Sequence, residues 1–90
     1  MKRKAVKPKK RTQVFDESGL EAFATHLKKV RMKAGFTQEE LAYQSGLTLS
    51  QIGRIETFRI NPTLSTIFKI ARTLKVELPE MFKFKLPLEK

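Results

Sequence analysis

Cysteine and tryptophan are absent from this 90-residue chain, and histidine and tyrosine occur once each. The lack of cysteine excludes disulfides, thiol catalysis and cysteine-ligated zinc, and is neutral about compartment. His26 stands without a second histidine or a cysteine at ligand spacing, so neither a metal site nor an activated nucleophile has partners to build on. There is no Gly-rich phosphate loop and no GxSxG elbow. Glu39 and Glu40 are neighbours whose side chains diverge on a helix, where both suit the first turn better than paired acid–base work. No enzyme activity, metal or cofactor is therefore expected. Long apolar runs are missing too: nothing approaches the roughly 18 residues of a membrane span. The basic N-terminus continues into Thr12, Gln13, Asp16 and Glu17 rather than a signal-peptide core. A soluble, cytoplasmic protein with no membrane partner is expected.

Acids are scarce: 9 Asp and Glu face 19 Lys and Arg, a net charge of +10. Lys2, Arg3, Lys4, Lys7, Lys9, Lys10 and Arg11 carry seven positive charges before any acid, leaving 12 bases against 9 acids and a net +3 over the other 79 residues. A block of like charge containing Pro8 buries too little apolar surface to order itself, so residues 1–15 read as a flexible basic arm. Such an arm is either a solubilising tail or a polyanion-binding segment that releases counterions from phosphates. It lacks the interleaved Phe, Leu or Trp of an interfacial membrane helix.

The rest reads as one small domain, too short to bury a large core and dependent on tightly packed helices. Ser18 and Glu21 form a capping box ahead of Leu20, Phe23, Ala24, Leu27 and Val30, predicting a helix over about residues 19–34 that Gly35 ends. Thr37 with Glu40 opens a second helix over 38–45, stopped by Gly46. Thr48 with Gln51 opens a third over 49–56. Thr63 caps a fourth that carries Leu64, Ile67, Ile70, Ala71 and Leu74, and Pro79 suits the first turn of a fifth around 78–82. The fold class is all-α, with five helices in a domain spanning 16–82. In the tail, 83–90, Phe84, Leu86 and Leu88 continue from Phe82 at period two, which predicts an extended segment. It either pairs with a second chain, making Phe82, Phe84 and Leu86 dimer contacts, or lies over the helices.

Residues 38–57, QEELAYQSGLTLSQIGRIET, have the pattern of two short helices crossing at a tight turn, with Ala42 small at the crossing and Leu41, Leu47, Ile52 and Ile55 filling the wedge. With Ile52 and Ile55 inward, a step of about 100° per residue turns Ser50, Gly53, Arg54 and Thr57 outward, flanked by Leu49 and Gln51. From about Leu27 to Phe82, through GFTQEELA, SGLTLSQIGRIE, NPTLSTI and KIARTLKVELPEMF, the chain resembles the Cro/C1-type (XRE-like) helix-turn-helix family.

This resemblance implies a five-helix lambda-repressor-like domain that places its third helix in the DNA major groove, usually as a homodimer on a palindromic operator. It implies base contacts by Thr48, Leu49, Ser50 and Arg54 and a phosphate contact by Gln38. It further implies a structural ion pair of Arg31 with Glu56. Chemistry suits Arg54 to guanine, Thr48 and Ser50 to either polar edge, and Leu49 to a thymine methyl, although Arg54 also suits a phosphate. Gln51, Thr57, Arg59 and the arm residues Lys9, Lys10 and Arg11 are the remaining expected phosphate contacts. The arm matters because residues 36–60 hold two Arg against three Glu.

One departure stands out. The family usually carries Gly just after the third helix, and this chain has Thr57, Phe58 and Arg59 there. The turn is then expected to adopt another geometry, with Phe58 either packed inward or exposed. The expected function is a sequence-specific, repressor-type regulator acting on duplex DNA at the nucleoid. The alternative is an antitoxin-like module that holds a toxin or other protein through the apolar tail. RNA binding driven by the arm is a third reading, without an aromatic stacking platform to support it.

Overall fold

The computed structural model describes residues 14–88. Five helices follow one another: α1 (Glu17–Lys33), α2 (Gln38–Ser45), α3 (Leu49–Glu56), α4 (Leu64–Leu74) and α5 (Leu78–Met81). α2, α3 and α4 occupy the stretches that their capping residues and apolar spacing predict.

The start of α1 differs from expectation. Asp16, not Ser18, is the N-cap: its carboxylate accepts the Gly19 amide at 2.9 Å and the Ser18 hydroxyl at 3.2 Å. Asp caps as well as Ser and draws the helix two residues further upstream. Gly19 permits that close approach, since a Cβ there would sit 2.9 Å from Asp16 Oδ2.

α2 and α3 begin with full capping boxes. Thr37 Oγ1 accepts from the Glu40 amide and Glu40 Oε1 from the Thr37 amide, at 3.0 and 2.9 Å, and Thr48 and Gln51 repeat the exchange at 3.0 Å each. Because Thr37 lies outside the expected DNA set, Thr37→Ala isolates the cap. It is expected to lower unfolding free energy by about 1 kcal/mol in urea denaturation; a change below about 0.3 kcal/mol would mean that water replaces the hydroxyl without loss.

Between α2 and α3 the chain reverses at Gly46, whose φ is 78°. Buried Ser45 secures the turn, donating to the Ala42 carbonyl at 3.4 Å and accepting from the Leu47 amide at 3.3 Å. α2 crosses α3 and α4, while α1 packs on α3 and α5. Leu27, Leu41, Ile52, Ile70 and Met81, one from each helix, are fully buried at the centre. His26 Nε2 donates to the Glu80 carbonyl at 2.6 Å and stitches α5 to α1.

The tail forms no strand among the described residues. The Phe84 amide instead donates to the Phe82 carbonyl at 2.8 Å, a tight local turn. The Phe82 and Phe84 rings then lie 5.5 and 6.2 Å from the Phe23 ring, so the apolar side of the alternation covers α1. Phe84 packs on the core, which therefore extends past residue 82.

Candidate DNA interface

α3 is held from beneath by Ile52 and Ile55, which are buried, and shows the opposite side to solvent. Thr48, Leu49, Ser50, Gln51, Arg54 and Thr57 are exposed there, and Gly53 is half-buried. Ser50, Gly53, Arg54 and Thr57 lie opposite the two isoleucines of this eight-residue helix, Leu49 and Gln51 lie on the flanks, and Thr48 caps its start.

Several of these polar groups already have partners. Gln51 spends its Oε1 on the capping box, and its amide hydrogens have no partner among the described residues. Thr57 Oγ1 donates to the Gly53 carbonyl at 2.8 Å, so its only hydrogen points along the helix, and a phosphate contact would need that hydrogen redirected. Gln38 Nε2 donates to Glu56 Oε1 at 3.0 Å, leaving its second hydrogen for any outside acceptor.

Under the interface lies an ion pair. Arg31 Nε meets Glu56 Oε2 at 2.6 Å and Arg31 Nη2 meets Oε1 at 3.0 Å, while Nη1 donates to the Phe36 carbonyl at 2.7 Å. The Arg31 and Glu56 side chains are only 8% and 2% exposed. With Gln38 included, α1, the start of α2 and the end of α3 share one network. Its electrostatic consequence reaches the surface. Glu56, the acid carried by α3, is turned inward and neutralised, so Arg54 is the charge that this helix presents outward.

Past α3 the chain does not adopt a new turn in the absence of glycine. Phe58 takes the left-handed conformation itself, with φ 46°. The Phe58 amide donates to the Ile55 carbonyl at 3.1 Å and the Arg59 amide to the Arg54 carbonyl at 2.9 Å. This is the paired hydrogen-bonding of a Schellman ending, where the two outer residues normally make an apolar contact. Here those residues are Arg54 and Arg59. Both are exposed, and neither forms an ion pair among the described residues. Two exposed cations at the negative end of α3 suit the helix dipole and leave both guanidinium groups available to an anion.

Further along the same loop, Asn61 Nδ2 donates to the Val14 carbonyl at 3.2 Å. The described chain thus begins beside the loop that carries Arg59. Lys9, Lys10 and Arg11 lie outside the described residues. On another side, Phe82 and Leu86 are exposed at the rim of an apolar cleft of about 270 Å³ lined also by Leu20, Phe23, Leu64 and Ile67.

Sequence reasoning did not anticipate the Gln38–Glu56 bond, the role of Ser45 or the Asn61–Val14 contact. Each joins segments or atoms that no local spacing singles out. Among the described residues no three His, Asp or Glu side chains are grouped as metal ligands, and no helix is long and apolar enough to cross a membrane.

A tight two-helix turn, a second helix clamped by isoleucines and an outward polar face together define a helix-turn-helix domain. Residues 27–81 match the helix-turn-helix family model, and the chain belongs to this Cro/C1-type family of DNA-binding transcriptional regulators. An HTH-type transcriptional regulator of Archaeoglobus fulgidus is 37% identical over 60 residues, covering 67% of this chain and 86% of that protein. The restriction-modification controller protein C.AhdI from Aeromonas hydrophila superposes with a TM-score of 0.67 at 38% identity, covering 70% of this chain and 96% of that one. Antitoxin HipB of Escherichia coli is 38% identical over 55 residues, covering 61% of this chain and 62% of HipB.

Proposed function

We propose that this regulator binds a palindromic duplex operator as a homodimer and acts as a repressor in the cytoplasm, at the nucleoid. Half-sites then lie about one helical turn, roughly 34 Å, apart. α3 enters the major groove, where Thr48, Leu49, Ser50 and Arg54 meet base edges. Gln38, Gln51, Thr57 and Arg59 lie against phosphates, joined by Lys9, Lys10 and Arg11 of the arm. Phe82 and Leu86 meet their counterparts in the second copy, with Phe84 supporting them from below.

The observation that carries this reading is the polarity of α3. Its apolar side is locked into the core, its acid is neutralised internally, and its outer side combines a free guanidinium with small polar groups and one exposed leucine. Guanidinium binds guanine through two hydrogen bonds in the major groove, and the other groups fit the remaining base edges.

Selection of binding sites from random duplexes at two salt concentrations tests the reading. A palindromic site supports the dimer, and failure to enrich any sequence argues against base readout. Arg54→Ala is expected to lose discrimination at one or two positions of that site, by about 1–3 kcal/mol, with the others preserved. An unchanged sequence preference in this variant would remove Arg54 from the base-reading set.

A second reading is favoured by the apolar cleft and by the similarity to HipB. In it the same domain also holds a protein partner through Phe82 and Leu86. Co-purification of a second polypeptide that masks the tail, together with no selected DNA site, would favour it over the first.

A further inference from the structure

Phe58 is a costly residue where it stands. At φ 46° a bulky side chain is strained, whereas glycine would form the same turn freely. The fold gains little from the ring: it is half-buried and is not among the side chains packed on the core, although Ile60, two residues on, is. The other non-glycine residue at positive φ among the described residues, Lys75 (φ 59°), has a local justification, since its charge sits at the negative end of α4. No such justification applies to a phenyl ring.

Phe58 also has a defined position. It lies between Arg54 and Arg59 in sequence, and the turn it makes joins their backbones at 2.9 Å, at the end of the exposed face of α3. Resting on the DNA-binding mode proposed above, we infer that Phe58 is a DNA-contact residue. Its ring lies on apolar duplex surface at the edge of the groove that α3 enters, flanked by the phosphate held by Arg59 and the base edge met by Arg54. Two groups in duplex DNA offer that surface: deoxyribose carbons and the thymine methyl. The strain is thus retained for a contact made outside the chain, a common setting for backbone outliers.

The test uses the full chain and the duplex site selected with it, and compares wild type with Phe58→Gly, Phe58→Leu and Arg59→Ala. Phe58→Gly is expected to raise Tm, by relieving the turn, and to bind the site about tenfold more weakly. Its salt dependence stays that of wild type, because no cation is lost, whereas Arg59→Ala makes the slope shallower by about 1. Phe58→Leu restores most of the affinity by supplying another apolar side chain. A merely structural ring would give the opposite pairing, with stability and affinity falling together.

Replacing thymine by uracil in the site identifies the surface touched. A larger loss for wild type than for Phe58→Gly, in which any Leu49 contact to a methyl persists, assigns the ring to a thymine methyl; an equal response in both assigns it to deoxyribose. Phe58→Gly binding as tightly as wild type would overturn the inference and leave the function intact. Wild type enriching no duplex at all would instead overturn the function on which the inference rests.

Discussion

Arg31→Ala is expected to cost about 3–5 kcal/mol of folding free energy, because it strands a buried carboxylate rather than deleting a surface contact. The Glu56 side chain is 2% exposed and accepts from Arg31 Nε and Nη2, so in the variant its one remaining partner among the described residues is Gln38 Nε2. The Phe36 carbonyl loses its Arg31 donor at the same time. A domain of this size holds on the order of 5–10 kcal/mol in total, so the variant should lie near its unfolding threshold at 37 °C. The double variant Arg31→Met, Glu56→Leu removes both charges and is expected to recover a large part of the loss. Chemical denaturation of Arg31→Met, Glu56→Leu and the double variant gives the coupling directly. A cost for Arg31→Ala below about 1 kcal/mol would place the pair with exposed ion pairs and contradict its burial.

The same network is expected to connect stability to DNA recognition. It fixes the end of α3 to α1 and to the start of α2, so the exposed face is presented by a helix tied at its C-terminal end as well as by its isoleucines. Arg31→Ala is therefore expected to reduce sequence discrimination even where the protein remains folded. This link separates it from the Thr37 cap, whose loss is confined to one helix end.

Local signals made much of this fold legible. α2, α3 and α4 start at threonine caps and carry apolar residues at helical spacing, and all three were readable because each signal lies within a few residues. α1 was misplaced at its start by competition between two neighbouring caps, Asp16 and Ser18, which propensity alone does not separate. The turn after α3 was misread for another reason. Phe is a poor residue for positive φ, so a stretch without glycine carries no local sign of the left-handed turn that Phe58 nevertheless makes. On the interface, the outward set on α3 followed from the positions of Ile52 and Ile55. The partners of Gln38 and Glu56 did not, because they span 18 and 25 residues. Period two in the tail did mark a common apolar side, but the pattern shows neither the tight turn at Phe82–Phe84 nor whether that side meets its own α1 or another molecule.

Deleting residues 1–11 is expected to weaken binding to every duplex sequence, by on the order of a thousandfold at low salt, while leaving the selected site unchanged. The segment holds seven positive charges, and the remaining 79 residues have a net charge of only +3. Each cation that neutralises a phosphate releases counterions and contributes about 0.9 to the slope of log affinity against log salt, so the full arm contributes up to about 6. The helix-turn-helix itself offers few such groups: Arg54 and Arg59 are exposed, while Glu56 is already paired inside. Most of the long-range attraction is then expected from the arm and most of the discrimination from α3. The two variants separate these contributions. Arg54→Ala changes which bases are preferred with a small effect on slope. Arm deletion makes the slope shallower by about 3–6 with no effect on preference. As salt rises, affinities of the full-length and shortened chains should converge, because the term removed is the screened one. A shortened chain with the same slope as wild type would reduce the arm to a solubilising tail, and the phosphate contacts would have to be sought on the folded domain.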